Sequence, residues 1–72
     1  MPSEEEIGRL VGLRMAPPRV QAQELAEKLS VSPEALSRFE NGRKPLPNGM
    51  GVKAYERALE DLKRAKRGGV AA

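Results

Sequence analysis

A turn of only three residues, 30–32, separates two helical segments in the middle of the chain. Leu25 and Leu29 lie four residues apart before the turn, and Leu36 and Phe39 lie three apart after it, so each segment carries an apolar face of helical period. A connection this short does not let two helices lie antiparallel, so they must cross steeply. The spacing therefore predicts a helix-turn-helix whose second helix keeps one side away from the core.

A capping box marks the start of the first helix. Ser3 is followed three residues later by Glu6, and the acidic first turn suits the helix dipole. Pro17 and Pro18 must end this helix, because a residue before proline avoids the helical backbone. We therefore expect a first helix over residues 4–15, with an apolar face formed by Ile7, Leu10, Val11 and Met15.

A serine–proline pair begins the third helix. Ser32 is a favoured N-cap residue and Pro33 suits the first helical position, while Asn41 and Gly42 both tolerate the left-handed conformation that ends a helix. The helix is expected at about residues 33–41. Its inner side continues an apolar seam made of Leu25, Leu29, Val31, Leu36 and Phe39, with the small Ala26 where the two helices approach. Its outward positions are Ser32, Pro33, Glu34, Ser37 and Arg38.

The last helix follows a loop over residues 42–51 that is rich in glycine and proline. We expect it over residues 52–66, ended by Gly68-Gly69, with an apolar stripe formed by Val52, Tyr55, Leu59 and Leu62. No strand pattern competes. The sequence therefore predicts an all-α fold, a compact bundle of four or five short helices, with one domain over residues 1–67 and a disordered tail over 68–72.

Composition argues against several classes of function. The 72 residues suffice for one small domain, and the absence of cysteine and histidine removes thiolate metal sites, the commonest metal ligand and the commonest general base. We therefore expect no enzyme and no cofactor. No apolar run approaches the ~20 residues that cross a bilayer, and residues 1–6 do not resemble a secretory signal, so a cytoplasmic protein is expected.

The charges are unevenly distributed along a chain whose net charge is +3. Residues 1–6 carry three glutamates, whereas residues 41–53 carry three bases without an acid and residues 63–67 carry four. This arrangement suits a polyanionic ligand. For residues 63–67, an equally good interpretation is that bases near a helix C-terminus stabilise its dipole.

Arg38 is the leading candidate for a contact with DNA bases, because arginine hydrogen bonds to guanine are the commonest specific contact in the major groove. The alternative is an ion pair with Glu34, four residues earlier. Ser32 and Ser37 can hydrogen-bond base edges or phosphate, although Ser32 also serves as the N-cap. Pro33 offers an apolar face to a thymine methyl group, and Glu34 can accept a hydrogen bond from cytosine or repel other bases.

Three polar residues follow the third helix, where the chain is expected to run along the sugar-phosphate backbone. Arg43 and Lys44 are adjacent bases that would neutralise phosphates, and Asn41 would hydrogen-bond beside them. The alternatives are a C-cap for Asn41 and ordinary solvated side chains for the two bases. Phe39 and Tyr55 are core residues, and two aromatics are too few for a platform that stacks single-stranded RNA.

Residues 7–47 resemble the Cro/repressor-type helix-turn-helix family, also called XRE or lambda-repressor-like. The resemblance rests on residues 25–32 (LAEKLSVS), residues 36–44 (LSRFENGRK) and Pro47. It departs from the family at Ser30, where glycine is usual, at Gln21, where threonine or serine is usual, and at Ala22, where glutamine is common.

This resemblance implies a lambda-repressor-like fold and sequence-specific binding of duplex DNA by a repressor or related transcriptional regulator. It adds Gln21 and Gln23, at the start of the second helix, to the candidate DNA contacts. Arg14 and Glu24 match a pair that would lock the first helix to the second, with Glu40 in a similar role.

A single recognition helix usually needs a symmetric dimer that reads two half-sites about 34–36 Å apart. The stripe on the last helix, residues 52–66, is the expected homodimer surface. A rival interpretation from another class is a protein-interaction adaptor of the same fold, which docks RNA polymerase or, as an antitoxin, a toxin. Glu34 on the outward face and the modest net charge favour that rival.

Overall fold

Residues 1–71 fold into four α-helices and one short 3₁₀ turn. A computed structural model describes residues 1–71, and the side chains of residues 69–71 are outside that description together with Ala72. In chain order the elements are α1 (Glu4–Met15), α2 (Ala22–Leu29), α3 (Pro33–Glu40), the 3₁₀ turn (Pro47–Gly49) and α4 (Val52–Ala71). No strand occurs in the described range, which confirms the predicted all-α class.

The predicted caps begin α1 and α3. The Ser3 hydroxyl accepts a hydrogen bond from the Glu6 amide (3.2 Å), and the Ser32 hydroxyl accepts one from the Ala35 amide (3.1 Å). Each bond satisfies an amide that the first helical turn leaves without a backbone partner. Capping chemistry thus placed these two helix starts correctly.

Ser30 makes the sharp turn between α2 and α3. Its backbone is left-handed (φ 59°, ψ 40°), and the Val31 amide donates to the Ala26 carbonyl (2.9 Å) to close the end of α2. A side chain in this conformation meets the following carbonyl group, a cost that glycine avoids. The turn therefore has a backbone conformation that favours glycine, although a serine occupies this position.

We expect Ser30→Gly to stabilise the fold by about 0.5 kcal/mol, because relief of the left-handed strain outweighs the greater entropy of glycine in the unfolded chain. Urea unfolding followed by circular dichroism measures the difference. Gly42→Ser is the matched control, since Gly42 also has a positive φ (72°) and should lose stability with the reverse change. A destabilised Ser30→Gly protein would show that the hydroxyl stabilises the turn.

One core connects all four helices. Phe39 and Tyr55 lie at its centre with ring centroids 5.7 Å apart, and the predicted seam residues are buried except Val31, which is half-buried. Two residues outside the helices, Val20 and Leu46, are also buried. The main cluster comprises Leu10, Val20, Leu25, Ala26, Leu29, Leu36, Phe39, Leu46, Tyr55, Ala58 and Leu59, and Ile7 is buried as well.

Two expectations about apolar faces are wrong. Met15 is 50% exposed, since the chain leaves α1 there, and so it does not belong to the inner face of the helix. The stripe on α4 is not an open surface: Tyr55 and Leu59 are buried, and Val52 and Leu62 pack against the same core. The residues suggested as a homodimer surface are therefore largely covered by the chain itself.

The last helix is longer than expected. It continues through Gly68 and Gly69 to Ala71 instead of ending near residue 66, because glycine weakens a helix without blocking its backbone. The predicted tail, residues 68–72, lies partly outside the described residues, so its disorder stays a prediction. Of the helices in residues 1–71, none has both the length and the hydropathy that a bilayer crossing requires.

Candidate nucleic-acid interface

The outward face of α3 presents five polar or small residues to solvent. Leu36 and Phe39 anchor the opposite side of the helix in the core. The helical period then turns the opposite positions outward, as expected from the spacing. All five predicted residues are exposed: Ser32, Pro33, Glu34, Ser37 and Arg38.

Arg38 has no ion-pair partner among the described residues, so the alternative pairing with Glu34 does not form there. Its backbone carbonyl accepts hydrogen bonds from the amides of Arg43 (2.8 Å) and Lys44 (3.4 Å). These bonds fold the loop back onto the end of α3. Three exposed bases therefore share this end of the helix, beside a shallow groove lined by Ala35, Arg38, Lys44, Pro45 and Pro47.

The Asn41 side chain forms hydrogen bonds within the end of α3, as the alternative interpretation of Asn41 as a C-cap predicted. Its Nδ2 atom donates to the Ser37 carbonyl (2.9 Å) and to the Ser37 hydroxyl (3.3 Å). The left-handed residue is the next one, Gly42, with φ 72°. Asn41 therefore caps α3 and orients Ser37, and any contact of Asn41 with DNA is additional to that role.

The two glutamines lie on a different element from the rest of the set. Gln21 is the N-cap residue of α2 but makes no side-chain capping bond, and both Gln21 and Gln23 are exposed. Helices α2 and α3 pack directly against each other. Both glutamines are therefore accessible to a ligand, and their contact with DNA stays a prediction.

A cluster of Arg14, Glu40 and Tyr55 fixes the C-terminal end of α3. Arg14 donates to both carboxylate oxygens of Glu40 (2.8 and 3.2 Å) and to the Val20 carbonyl (3.1 Å), and the Tyr55 hydroxyl donates to Glu40. The Arg14 and Glu40 side chains are only 11% and 12% exposed. This Glu40 cluster links α1, α3 and α4.

The predicted Arg14–Glu24 pair is wrong. Glu24 instead forms an ion pair with Lys66 of α4 (3.1 Å), while Arg14 reaches across to α3. The crossing of the helices decides which carboxylate faces Arg14, and sequence spacing does not contain that information. The secondary suggestion, that Glu40 has a similar locking role, agrees with the geometry.

The ionisation of the Glu40 cluster follows from its burial. Burial acts to lower the pKa of Arg14, but the hydrogen bond and the charge of Glu40 outweigh it and raise that pKa above its ordinary value. Burial, and then the hydrogen bond to Glu40, raise the pKa of Tyr55. Arg14 therefore stays charged and Tyr55 stays a neutral donor at physiological pH.

The basic segment 63–67 is largely used within the chain. Lys63 donates to the carbonyls of Ala16 (2.6 Å) and Pro18 (3.2 Å), Lys66 pairs with Glu24, and Arg64 pairs with Glu60 (2.7 Å), four residues earlier. Arg57 and Asp61, also four residues apart on α4, form no ion pair among the described residues. Arg38, Arg43 and Lys44, near the end of α3, form no ion pair among the described residues.

Comparison with known protein families agrees with this geometry. A helix-turn-helix family model, HTH_3, matches residues 19–63, which is more than half of the chain and spans α2, α3 and much of α4. Neither the curated protein sequences nor the solved structures gave a significant match. The fold, the exposed second helix of the motif and the family match lead to one assignment: the chain belongs to the Cro/C1-type helix-turn-helix (XRE) family.

Proposed function

We propose that this protein is a sequence-specific transcriptional regulator of the repressor type, which inserts α3 into the major groove of duplex DNA. The observation that carries the proposal is the outward face of α3, where Arg38 has no ion-pair partner among the described residues and stands beside Arg43 and Lys44. The family match supports DNA binding as the general function. We propose no catalytic role, and the proposed compartment is the cytoplasm.

The proposed role of each side chain in DNA binding follows from its position. Arg38 reads guanine through two hydrogen bonds, and Ser37, oriented by Asn41, hydrogen-bonds a neighbouring base edge. Pro33 contacts a thymine methyl group, and Glu34 accepts from a cytosine amino group. Gln21, Gln23 and Ser32 contribute hydrogen bonds at the rim of the groove.

Arg43 and Lys44 position the protein on the phosphate backbone. Their amides are held by the Arg38 carbonyl, so the loop keeps its place relative to α3. Such contacts add affinity without sequence information. Because one recognition helix reads few base pairs, we propose a two-fold homodimer on two half-sites about one helical turn apart.

Arg38→Ala is expected to weaken binding to the selected operator about tenfold and to relax the preference at one base pair, since it removes a bidentate contact. Operator sequences are first selected from a random duplex library, and affinities are then measured by fluorescence anisotropy. Arg57→Ala is the matched control, because Arg57 is an exposed arginine on α4 outside the candidate interface. If Arg38→Ala leaves affinity and preference unchanged, α3 does not read the DNA as proposed.

Replacing both Arg43 and Lys44 by alanine is expected to reduce the slope of log K against log salt concentration by about 1.8, because each neutralised phosphate contributes about 0.9. Affinity should fall similarly for all sequences. The control is the Arg57→Ala, Arg64→Ala double variant, which removes the same charge from exposed positions on α4. An equal change in both double variants would show that net charge, and not the loop, determines the slope.

The adaptor alternative keeps one observation in its favour. Glu34 is exposed at the start of α3, where it faces any ligand of that helix, and a carboxylate there is repelled by phosphates. An adaptor would bind a basic partner protein through this end. Failure of the protein to bind duplex DNA or heparin at low salt would favour the adaptor over the regulator.

A further inference from the structure

Both asparagines of the chain are followed by glycine. They are Asn41, at the end of α3, and Asn48, in the 3₁₀ turn before α4. Asparagine is thermolabile, because the backbone nitrogen of the next residue can attack its side-chain amide carbon. Glycine in the next position makes this attack easiest, since it has no side chain to hinder the approach. The sequence therefore contains two equally suited sites for spontaneous deamidation, and only the fold distinguishes them.

Ring closure requires the same kind of rotation at both asparagines. The ring forms only when Cβ and the next backbone nitrogen are eclipsed about the Cα–C bond. Asn41 has ψ 5° and Asn48 has ψ 27°, so neither residue has this geometry in the folded chain. The two rates of deamidation therefore depend on the contacts that each residue must break in order to rotate.

Asn41 is held on both sides of the reacting bond. Its Nδ2 atom, the leaving group, donates to the carbonyl and the hydroxyl of Ser37. The attacking group, the amide of Gly42, donates to the Phe39 carbonyl (3.0 Å). A Cβ atom at Gly42 would lie 3.8 Å from Ile7 Cδ1, so α1 packs close to this peptide. Ring closure at Asn41 therefore requires the end of α3 to open locally.

Asn48 has much weaker restraints. Its side chain is exposed and forms no hydrogen bond among the described residues. The space beside the reacting peptide is open, since a Cβ atom at Gly49 would meet nothing within 4 Å apart from its chain neighbours. The turn is closed by one long bond from the Met50 amide to the Pro47 carbonyl (3.3 Å). A short exposed turn of this kind opens at little cost in free energy.

We propose that Asn48 deamidates spontaneously in the folded protein, whereas the fold protects Asn41. The Gly49 nitrogen loses its proton to solvent hydroxide and attacks Asn48 Cγ. A bond forms between these two atoms, the Cγ–Nδ2 bond breaks, and the side-chain nitrogen leaves as ammonia. Water then opens the cyclic imide. Its attack at Cγ gives aspartate, and its attack at the backbone carbonyl carbon gives isoaspartate, in which the main chain runs through the side chain.

The two products change the charge and the backbone of the turn. Each adds a negative charge to residues 41–53, which contain three bases and no acid. Isoaspartate also lengthens the main chain in the turn that leads into α4. The added charge allows modified protein to be separated from unmodified protein by ion exchange. The inference is independent of DNA binding, because the reaction needs only this chain and water.

The test incubates the full chain in mildly alkaline buffer, either folded or unfolded in guanidinium chloride. Trypsin places the two asparagines in different peptides, because Arg43 lies between them, and mass spectrometry gives the rate of deamidation at each. The unfolded chain should react similarly at both sites. Folding should slow Asn41 at least about tenfold, which corresponds to a local opening of about 1.4 kcal/mol, and should slow Asn48 by less than about threefold.

Asn48→Gln is the control variant, because its longer side chain must close a larger and less favourable ring. The folded variant should form little acidic product during the time in which the parent chain forms it, and circular dichroism confirms that the variant is folded. Equal rates at Asn41 and Asn48 in the folded protein would overturn the proposal. So would a folded-state rate at Asn48 about tenfold below its unfolded rate, or an unchanged yield of acidic product from Asn48→Gln.

Discussion

Replacing Arg14 by alanine is expected to lower the free energy of unfolding by about 3–5 kcal/mol, since it leaves the Glu40 carboxylate with little solvent and without its cation. Both side chains of the pair are nearly nine-tenths buried, and Arg14 also holds the Val20 carbonyl. Domains of this size are stabilised by only about 5–15 kcal/mol in total. The Arg14→Ala protein should therefore be largely unfolded at moderate urea concentrations where the parent chain is folded.

Arg9→Ala supplies the comparison for this experiment. Arg9 also lies on α1 and also pairs with a glutamate of another helix, but its side chain is 49% exposed. Exposed pairs contribute about 0–1 kcal/mol, so this variant should unfold close to the parent chain. Equal losses in the two variants, measured by urea unfolding, would mean that burial does not set the strength of the Arg14–Glu40 pair.

Tyr55→Phe is expected to cost about 2 kcal/mol at neutral pH, because it removes a hydrogen bond to a buried carboxylate while keeping the ring. Tyr55 is fully buried beside Phe39, so the phenylalanine ring fills the same volume. The loss of stability therefore measures the contribution of the Tyr55 hydroxyl group alone. The same pair of proteins also tests the ionisation of the Glu40 cluster.

The stability difference between the parent chain and the Tyr55→Phe protein should shrink in the alkaline range. Burial raises the pKa of Tyr55 in the folded protein above its ordinary value of 10.0, so above pH 10 the unfolded chain releases the phenolic proton while the folded chain keeps it. Stabilisation by Tyr55 is therefore complete below pH 10 and is lost as the pH rises toward the folded pKa, by about 1.4 kcal/mol per unit.

Urea unfolding of both proteins between pH 7 and pH 11.5 measures this difference, and the titration of the lysines cancels because both chains share them. The gap of about 2 kcal/mol should close within about 1.5 pH units above the ordinary tyrosine pKa. A gap that stays constant to the top of this range would mean that Tyr55 ionises equally easily in the folded and unfolded chains.

Local chemistry predicted the ends of α1 and the start of α3. Ser3 and Ser32 cap their helices through bonds to amides three residues away, and the prolines act on neighbouring backbone. Such effects depend on neighbouring residues alone, so they can be predicted from the sequence. The apolar period likewise sorted the residues of α3 correctly into buried and exposed positions.

Contacts between distant parts of the chain were harder to predict from the sequence. Val20 and Leu46 are single apolar residues in loops, so no period marks them as core residues, yet both are buried. The partner of Arg14 was predicted as Glu24 because spacing does not specify how helices cross. The coverage of the α4 stripe also depends on the assembled core, which no segment of the sequence reveals by itself.

The side chains proposed to read bases make few contacts with the rest of the protein. Pro33 and Arg38 point to solvent, whereas Glu40, at the end of the same helix, is fastened to α1 and α4. In α3, the residues proposed to determine DNA sequence preference are therefore different from Glu40, whose contacts stabilise the fold. Substitutions at positions 33, 34 and 38 should therefore change the preferred DNA sequence while the fold stays the same.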